Sequence, residues 1–505
     1  MSEFRQTTTG GGARLRDMTT TGPTATDFDS CYAAVASRDR RFDGRFVTGV
    51  LTTGIFCRPS CPARTPKPEN VRFFASTAAA QDAGLRACRR CRPELAPDRP
   101  EVDPQADVAA RALRMIEDGA GDEGVSALAA RLHVSPRQLQ RITTATYGAG
   151  PAALITMRRV RLARMLLDQT DLPVTRVAFA AGFGSVRQFN DAFRRTFHAS
   201  PTDVRRGRPA GPAAVRVTLA VRQPFAPEPV LDWMALHDIP GRTGVADGAV
   251  HHTTDEQVVS LRPVVAGGTA EVAVKVAAVE GHDPDLGRAV ALARQVFDLD
   301  ADIDAIDRAL GGDALLAPLV ARRPGLRIPG AADPWDGPVR TVLGQQVSAA
   351  AATTMMGRLA ALSERPGIPS PAVVRDLPLE PAIGLTRQRA GAVRALAAAV
   401  DDGLDLAPGA DPDVVREALL ALPGIGPWTA SSICLLTLRN PDAWPDGDLA
   451  LRRAVEDLTG APVTARELDR LAERWRPWRG YAAMHLWTHY LNDIPTRTNG
   501  LEETP

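Results

Sequence analysis

Apolar residues recur with a helical period in the second hundred residues of this 505-residue chain. The run 125–132 has apolar residues at i, i+3, i+4 and i+7, which predicts a helix with one buried face. Ser135 and Pro136 then fit the N-cap and the first position of a second helix. A long linking helix and a second helix pair are predicted at 154–167, 174–181 and 185–197. The pattern thus predicts two helix-turn-helix units.

The flanking segments have different patterns. Residues 1–26 are polar and poor in apolar side chains, which predicts a disordered tail. A linker rich in proline, glycine, arginine and alanine at 207–214 precedes the strand-like alternation of 215–221. From there to residue 325 we expect strands with one or two helices. From Arg327 onward we expect a largely helical region.

Four of the six cysteines lie close together, in a C-x3-C pair and a C-x2-C pair. They are Cys57, Cys61, Cys88 and Cys91. Two close pairs of thiolates are what a tetrahedral zinc site requires. Five arginines lie between and beside them and favour the approach of a phosphate backbone: Arg58, Arg64, Arg89, Arg90 and Arg92. For the spacing alone, a closed structural zinc knuckle is the alternative.

Other residues that could bind a metal are isolated or badly placed. Cys31 and Cys434 stand alone in the sequence, so we expect them to be packing residues. His251 and His252 are adjacent, and adjacent side chains of an extended chain point in opposite directions. We therefore interpret this histidine pair as ordinary surface residues.

The net charge of +1 conceals an asymmetry. Residues 1–210 contain 32 Lys and Arg against 21 Asp and Glu, a net +11, whereas the remainder contains 28 against 38, a net −10. A basic front half favours nucleic acid binding. Any DNA contact in the acidic half should therefore be local and made partly by backbone groups.

A glycine-rich hairpin between two predicted helices, at 422–430, offers such backbone contacts. Gly424 and Gly426 let the backbone come close to a phosphate. The unpaired N–H groups of the helix that follows can bind this phosphate without positive side chains. As an isolated motif, the hairpin is also typical of ordinary helix–helix connections.

The sequence around the first cysteine pair resembles the zinc domain of the Ada-type alkylation-response regulators. The matching stretches are 52–64 and 69–74. The resemblance implies that Cys57 accepts a methyl group from a DNA methylphosphotriester, and that one zinc per chain is held by Cys57, Cys61, Cys88 and Cys91. Zinc keeps a thiol deprotonated, and therefore nucleophilic, at neutral pH. Methylation removes one negative charge beside the DNA, so the repair event can act as a switch.

The helical region resembles the AraC-type DNA-binding module. The matching stretches are 161–167, 177–183 and 193–197. The resemblance implies two recognition helices that present six side chains to the major groove: Arg137, Gln138, Arg141, Arg187, Gln188 and Asn190. For each one taken singly, a solvated helix face is the alternative. His198 stands where the family often has glycine.

Residues 215–490 resemble the AlkA-type 3-methyladenine glycosylases of the helix-hairpin-helix superfamily. The matching stretches are the hairpin, 448–453, 475–479 and 481–487. The resemblance implies that Asp448 is the catalytic carboxylate and that Trp428 and Trp487 line a pocket for a cationic base flipped out of the duplex. Trp444, Trp475 and Trp478 are expected in the core.

Three positions depart from the residue types common in that family. Gln346 stands where members often insert an apolar wedge into the DNA, and it is expected to contact DNA together with Gly424 and Gly426. Ser432 and Leu449 stand where an aromatic can line the pocket. These departures predict a narrower or shifted substrate range.

Together the patterns and resemblances predict a multidomain chain. The expected domains are a small α+β zinc domain at 27–97, an all-α double helix-turn-helix domain at 107–206, an α+β (TBP-like) domain at 215–325 and a mainly-α helix-hairpin-helix glycosylase domain at 326–497. No apolar run approaches the length of about eighteen residues that a membrane span needs. The chain is therefore expected to be cytoplasmic and to have no membrane partner.

The predicted function is that of a fused alkylation-damage sensor, transcription activator and DNA-3-methyladenine glycosylase II. The expected partners are double-stranded DNA with alkylated bases or methylphosphotriesters, a promoter operator and RNA polymerase, and the chain is expected to be a monomer. Two alternatives stay open: a regulator whose glycosylase half is weak or only binds DNA, and a repair enzyme with a purely structural zinc domain. Asp448 argues against the first, and the sequence at 53–57 against the second.

Overall fold

The computed structural model describes residues 28–39, 42–91, 93, 108–205 and 215–492. The predicted tail at 1–26, the linker at 207–214 and Arg92 lie outside these ranges. The chain divides into two units, one with residues 1–101 and 140–153, the other with 102–139 and 154–505.

The cysteine-rich region is built on a four-stranded sheet. Its elements are α1 Phe28–Ser37, β1 Val47–Val50, β2 Ile55–Cys57, β3 Val71–Phe74, α2 Thr77–Asp82 and β4 Arg86–Ala87. The strand order is β3-β1-β2-β4, with β1 antiparallel to β2 and β3, and β2 parallel to β4. Cys31 of α1 is buried in a small core with Phe46, as expected for a packing residue.

The parallel pairing of β2 with β4 brings two of the clustered cysteines together. Phe56 pairs with Ala87, so Cys57 and Cys88, the next residues along the chain, lie side by side. The Cys88 N–H donates to the Phe56 carbonyl at 3.0 Å and continues this pairing. Gly54 has φ +63° in the turn before β2, a conformation that glycine adopts without steric cost.

The helix-turn-helix region is entirely helical. Its elements are α3 Val108–Glu117, α4 Val125–Arg131, α5 Pro136–Tyr147, α6 Pro151–Gln169, α7 Val174–Ala180, α8 Val186–Phe197 and α9 Pro201–Arg205. Ser135 and Ser185 cap α5 and α8, since their hydroxyls accept hydrogen bonds from the N–H groups of Gln138 and Gln188 at 3.1 and 3.2 Å. His198 ends α8 at φ 50°, in the left-handed conformation that glycine usually supplies.

A five-stranded antiparallel sheet begins the second half of the chain. Its strands are β5 Val215–Ala220, β6 Thr243–Ala246, β7 Ala249–Thr253, β8 Gln257–Ala266 and β9 Thr269–Ala278, in the order β5-β9-β8-β7-β6. The helices here are α10 Glu228–Leu236, α11 Leu286–Val296, α12 Ile303–Gly311 and α13 Ala317–Arg322. The prediction of one or two helices was therefore wrong. These helices are short, and short segments carry little periodic signal.

The two adjacent histidines of β7 point to opposite faces, but only one is a surface residue. His252 is buried and its Nδ1 lies 2.8 Å from the Thr243 hydroxyl, whereas His251 is partly exposed. Burial lowers the pKa of His252 to about 4. The expectation that both lie on the surface was wrong for His252, because β7 packs one face into the core of this region.

The remaining helices share one large apolar core. They are α14 Asp336–Leu343, α15 Ala349–Ala360, α16 Pro371–Val374, α17 Leu379–Ile383, α18 Arg387–Asp401, α19 Pro412–Leu420, α20 Pro427–Leu436, α21 Leu449–Thr459, α22 Ala465–Ala472 and α23 Arg479–Asn492. Trp444 and Trp475 are buried in this core and Trp478 packs against it, as expected. Among the described helices, none is both long enough and apolar enough to cross a bilayer.

Candidate functional site

The four clustered cysteines converge on one point. Their Sγ atoms all lie within 4.8 Å of one another. A tetrahedral zinc with Zn–S bonds of about 2.3 Å would separate its sulfur ligands by about 3.8 Å. The donor set and its spacing therefore fit zinc.

An aspartate that the sequence patterns did not single out holds the loop between the first two cysteines. The Asp43 carboxylate accepts hydrogen bonds from the Ser60 N–H at 3.1 Å and from the Ser60 hydroxyl at 2.6 Å. It also lies 4.0 Å from the Arg58 guanidinium. Asp43 thus fixes the conformation of the Cys57–Cys61 loop. It lies well before the cysteine motif, and no local signal marked it.

Backbone hydrogen bonds distinguish the sulfur atoms. The Arg58 N–H donates to the Cys91 sulfur at 3.4 Å, and the Ala63 N–H donates to the Cys61 sulfur. Within the ranges that the structure describes, no backbone donor to the Cys57 sulfur is found. A hydrogen bond to a thiolate stabilises its charge and lowers its nucleophilicity. These hydrogen bonds therefore distinguish Cys61 and Cys91 from Cys57.

Loss of a zinc ligand should unfold the zinc domain, because metal binding supplies folding free energy in so small a domain. We expect Cys88→Ser to lose its zinc and the folded structure of the four-stranded sheet around the cysteines. Cys434→Ala, which also removes one thiol but lies outside the cluster, should keep one zinc per chain. Elemental analysis and hydrogen exchange measure both effects. Folded wild-type protein without zinc would contradict the assignment.

The side chains predicted to read DNA lie on two helix surfaces. Arg137, Gln138 and Arg141 of α5 are exposed. On α8, Arg187 and Gln188 are exposed and Asn190 is partly buried. Both sets begin directly after a serine cap, so they occupy the first turns of their helices. This is the part of a recognition helix that contacts base edges.

Asp448 lies between two indole N–H groups. Its carboxylate caps α21 by accepting a hydrogen bond from the Leu451 N–H at 2.8 Å. Trp428 Nε1 donates to Oδ2 at 2.7 Å, and Trp487 Nε1 donates to Oδ1 at 3.2 Å. Asp448 is 9% exposed. The structure therefore brings the predicted carboxylate and both predicted pocket tryptophans together and orients the carboxylate from three directions.

A third tryptophan, from the region of the five-stranded sheet, joins this group. The Trp233 ring of α10 lies 5.2 Å from that of Trp487, and the His237 ring stacks on Trp233 at 4.1 Å. Burial, together with the nearby Arg340 guanidinium, lowers the pKa of His237 to about 4, so the imidazole is neutral at pH 7. Residues 215–325 thus contribute an aromatic ring to the group around Asp448. Trp233 carried no local signal, because it is one apolar residue of an ordinary helix.

The glycine hairpin is tied to the turn before α15. Gly424 has φ +80°, and a Cβ there would lie 2.8 Å from the Ala392 Cβ. Gln345 Nε2 donates to the Gly424 carbonyl at 3.0 Å and to the Thr429 hydroxyl at 2.9 Å. The next residue, Gln346, is exposed at φ 52°. Gln345, which the motifs did not single out, therefore fixes the exposed Gln346 beside the hairpin.

Asp446, which lies two residues before Asp448, has a different environment. The Asp446 carboxylate accepts a hydrogen bond from the Ser431 hydroxyl at 2.9 Å and pairs with Arg416 at 3.3 Å. It makes no contact with either indole of the Asp448 group among the described hydrogen bonds.

Two positions of the predicted pocket depart from the residue types common in AlkA-type glycosylases. Ser432 is buried, and Leu449 is 47% exposed.

These features define a multidomain protein with a thiolate zinc site, a helix-turn-helix region and a helical glycosylase-type region with an associated sheet. Three family models match: the metal binding domain of Ada at residues 30–94, a helix-turn-helix domain at 128–207 and the AlkA N-terminal domain at 216–333. A probable bifunctional transcriptional activator/DNA repair enzyme AlkA of Mycobacterium tuberculosis is 44% identical over 494 residues, which cover 93% of this chain and 98% of the relative. The chain belongs to this family of AlkA-type bifunctional proteins.

Two further relatives each match a part of the chain. The DNA-3-methyladenine glycosylase 2 of Escherichia coli is 33% identical over 218 residues, which cover 41% of this chain and 73% of the relative. The bifunctional transcriptional activator/DNA repair enzyme Ada of the same organism is 39% identical over 155 residues, which cover 31% of this chain and 42% of the relative. The resemblances to the Ada-type zinc domain and to the AlkA-type glycosylases are thus confirmed.

Proposed function

We propose that this chain senses DNA methylphosphotriesters at Cys57, activates transcription through its helix-turn-helix region, and excises alkylated bases of the 3-methyladenine type at Asp448. The observation that carries the proposal is the Asp448 carboxylate held between two indole N–H groups at the start of α21. One zinc is bound per chain. The functional domains are assigned to 27–97, 107–206, 215–325 and 326–497, and the protein acts as a monomer that contacts RNA polymerase.

Methyl transfer is a substitution at carbon. The Cys57 sulfur attacks the methyl carbon of the phosphotriester, an S–C bond forms, the C–O bond breaks, and its electron pair leaves with the phosphodiester. Cys57, Cys61, Cys88 and Cys91 would hold the zinc, which would keep the Cys57 sulfur as a thiolate. Cys57 is favoured over Cys61 and Cys91 because their sulfur atoms accept backbone hydrogen bonds. The product is a thioether, so the domain loses one negative charge and is repelled less by DNA.

Transcription activation follows from that charge change. The recognition residues of α5 and α8 are exposed and follow their N-caps directly, which suits two successive contacts along the major groove. A less negative zinc domain lowers the electrostatic cost of holding these helices on DNA. Methylation should therefore tighten binding to an operator.

Base excision needs a group that stabilises positive charge on the sugar. An alkylated purine is cationic, so the bond between its nitrogen and sugar C1′ breaks with the electron pair moving to the base, which leaves neutral. The Asp448 carboxylate stabilises the positive charge that develops at C1′. A water molecule then adds its oxygen to C1′ and releases a proton, which completes the hydrolysis.

The pocket residues favour a cationic base over a neutral one. Trp428, Trp487 and Trp233 provide electron-rich faces. His237 backs Trp233 as a neutral imidazole, so it does not repel the positive ring. The base must leave the duplex to reach these residues, and the exposed Gln346 fills the gap that the flipped base leaves. The Gly424–Gly426 hairpin holds the neighbouring phosphate through backbone N–H groups.

Release of free base from methylated duplex DNA tests the proposal. We expect the purified chain to release 3-methyladenine, detected by chromatography, and to leave unmethylated DNA intact. Binding to a duplex with a stable abasic-site analogue should accompany this activity. If the chain binds that duplex but releases no base, the alternative holds, and the glycosylase half serves only as a DNA-binding platform.

A further inference from the structure

Helix α3 of the helix-turn-helix region is docked on the glycosylase region. The Arg111 side chain is 6% exposed, and its guanidinium pairs with the Asp411 carboxylate at 2.7 Å and donates to the Gly409 carbonyl at 3.1 Å. Met115, one turn further along α3, packs so closely on Gly409 that a Cβ there would lie 2.2 Å from the Met115 Cγ. The contact is therefore both charged and tightly packed.

The end of α3 adds three further buried ion pairs, two of them with the glycosylase region. Glu117, 11% exposed, pairs with Arg161 of α6 and with Arg294 of α11, the latter at 3.3 Å. Burial alone would raise the pKa of Glu117, but the two guanidinium charges outweigh burial and lower it to about 2. Asp118 pairs with Arg439 at 2.8 Å, and their side chains are 13% and 6% exposed. We call this set of contacts the α3 seam: Arg111, Glu117, Asp118, Arg294, Gly409, Asp411 and Arg439.

A side chain at the end of α6 forms hydrogen bonds with an edge strand of the five-stranded sheet. Strand β5 is an edge strand of the five-stranded sheet. The Gln169 side chain donates to the Thr218 carbonyl at 3.0 Å and accepts a hydrogen bond from the Thr218 N–H at 2.5 Å. These two bonds replace those that a neighbouring strand would make. The helix-turn-helix region therefore contacts the glycosylase region at the sheet as well as at the helices.

Buried pairs of this kind resist separation. An exposed ion pair contributes little because water screens it. When a buried pair is separated, each charge stays partly desolvated without its partner, which is strongly unfavourable. The Arg176–Asp283 pair is the exposed contrast, since it joins the same two regions with side chains that are 44% and 76% exposed.

We propose that the α3 seam makes the helix-turn-helix region and the glycosylase region one cooperative unit. DNA bound at the glycosylase hairpin therefore stabilises the helix-turn-helix helices, and an operator bound to those helices stabilises the glycosylase region, because a ligand that binds only the folded unit stabilises all of it. DNA binding at one region is then linked to the folding stability of the other. This link between the two regions is an addition to the two activities proposed above.

Hydrogen exchange on the full chain, without DNA, tests the seam. We expect the amides of α3, residues 108–117, to exchange as slowly as those of α20, because the two open together. Arg111→Met should make α3 exchange at least about tenfold faster, since Asp411 keeps its capping bonds to α19 and the fold can persist. The control Arg176→Met should leave exchange unchanged. Wild-type α3 that exchanges much faster than α20 would overturn the proposal even if the variant failed to fold.

A second measurement adds a duplex with a tetrahydrofuran abasic-site analogue, and this arm rests on the proposed DNA binding of the glycosylase region. We expect the duplex to slow hydrogen exchange in α3 of the wild-type chain. Arg111→Met should lose this effect, and the control Arg176→Met should retain it. Binding of the duplex with no change in α3 would overturn the coupling. If the chain did not bind the duplex, the proposed glycosylase function would be contradicted. The exchange rates of α3 and α20 without DNA would still test whether the α3 seam joins the two regions.

Discussion

Asp448→Asn is expected to reduce the release of 3-methyladenine by roughly 10²–10³-fold, the usual cost of losing one preorganised electrostatic group. The substitution keeps the size of the side chain and one oxygen for the N-cap of α21, but it removes the negative charge that faces the sugar. If the amide oxygen takes the place of Oδ1, which serves the cap and Trp487, the Trp428 N–H faces the amide NH2 and loses its acceptor. Single-turnover release of base from methylated duplex DNA measures the effect on the chemical step.

Asp446→Asn provides the matched control. It makes the same chemical change two residues away, where the carboxylate contacts Ser431 and Arg416 instead of the indoles. We expect near-normal base release from this variant. Both variants should still bind a duplex with an abasic-site analogue, because the Gly424–Gly426 hairpin contacts phosphate through backbone N–H groups. Near-normal release by Asp448→Asn would place the catalytic carboxylate elsewhere, and Asp446 would be the first residue to test.

Features encoded in contiguous stretches could be predicted from the sequence. The cysteines lie in two short motifs, so spacing alone indicated a tetrahedral thiolate site. The start of α5 followed from Ser135, whose hydroxyl caps this helix in the structure, whereas α5 and α6 extend beyond the helix ends that the pattern predicted. The alternation of 215–221 correctly predicted β5. In each case, the residues that determine the local structure are neighbours in the chain.

Features that depend on tertiary packing could not be predicted in this way. Trp233 reaches Trp487 only because α10 packs beside α23, and 254 residues separate the two rings in the chain. Asp43 supports the cysteine loop from outside the motif, and Gln345 acquires its role only when the hairpin lies beside its turn. Nothing in the sequence around these residues distinguishes them from other polar or apolar residues.

The α3 seam changes how the predicted linkers are interpreted. Prolines and small residues suggested independent domains, but Arg111 and Asp411 pair across 300 residues of sequence. A pattern read along the chain cannot show such a pair, because neither residue belongs to a local motif. Variants of the helix-turn-helix region should therefore be tested for effects on base release as well as on operator binding.

Methyl transfer from methylphosphotriester DNA is expected to modify Cys57 alone, and Cys57→Ala should abolish methyl uptake completely. Cys61 and Cys91 accept backbone hydrogen bonds, which makes them weaker nucleophiles, and the resemblance to the Ada-type zinc domain favours Cys57 over Cys88. Peptide mass spectrometry on the wild-type chain locates the methyl group without disturbing the zinc site. A methyl group on another cysteine would refute the assignment.

The same experiment tests whether the charge change switches DNA binding. An operator can be selected from a pool of random duplexes, and the affinity of the methylated and unmethylated chains for it can be compared. The methylated chain should bind more tightly, and its advantage should shrink as salt is raised, because screening weakens the repulsion that methylation relieves. Base release by Cys57→Ala should persist, since the groups around Asp448 all lie between Trp233 and Trp487. Equal affinity of the two forms at low salt would show that Cys57 repairs DNA without acting as an electrostatic switch.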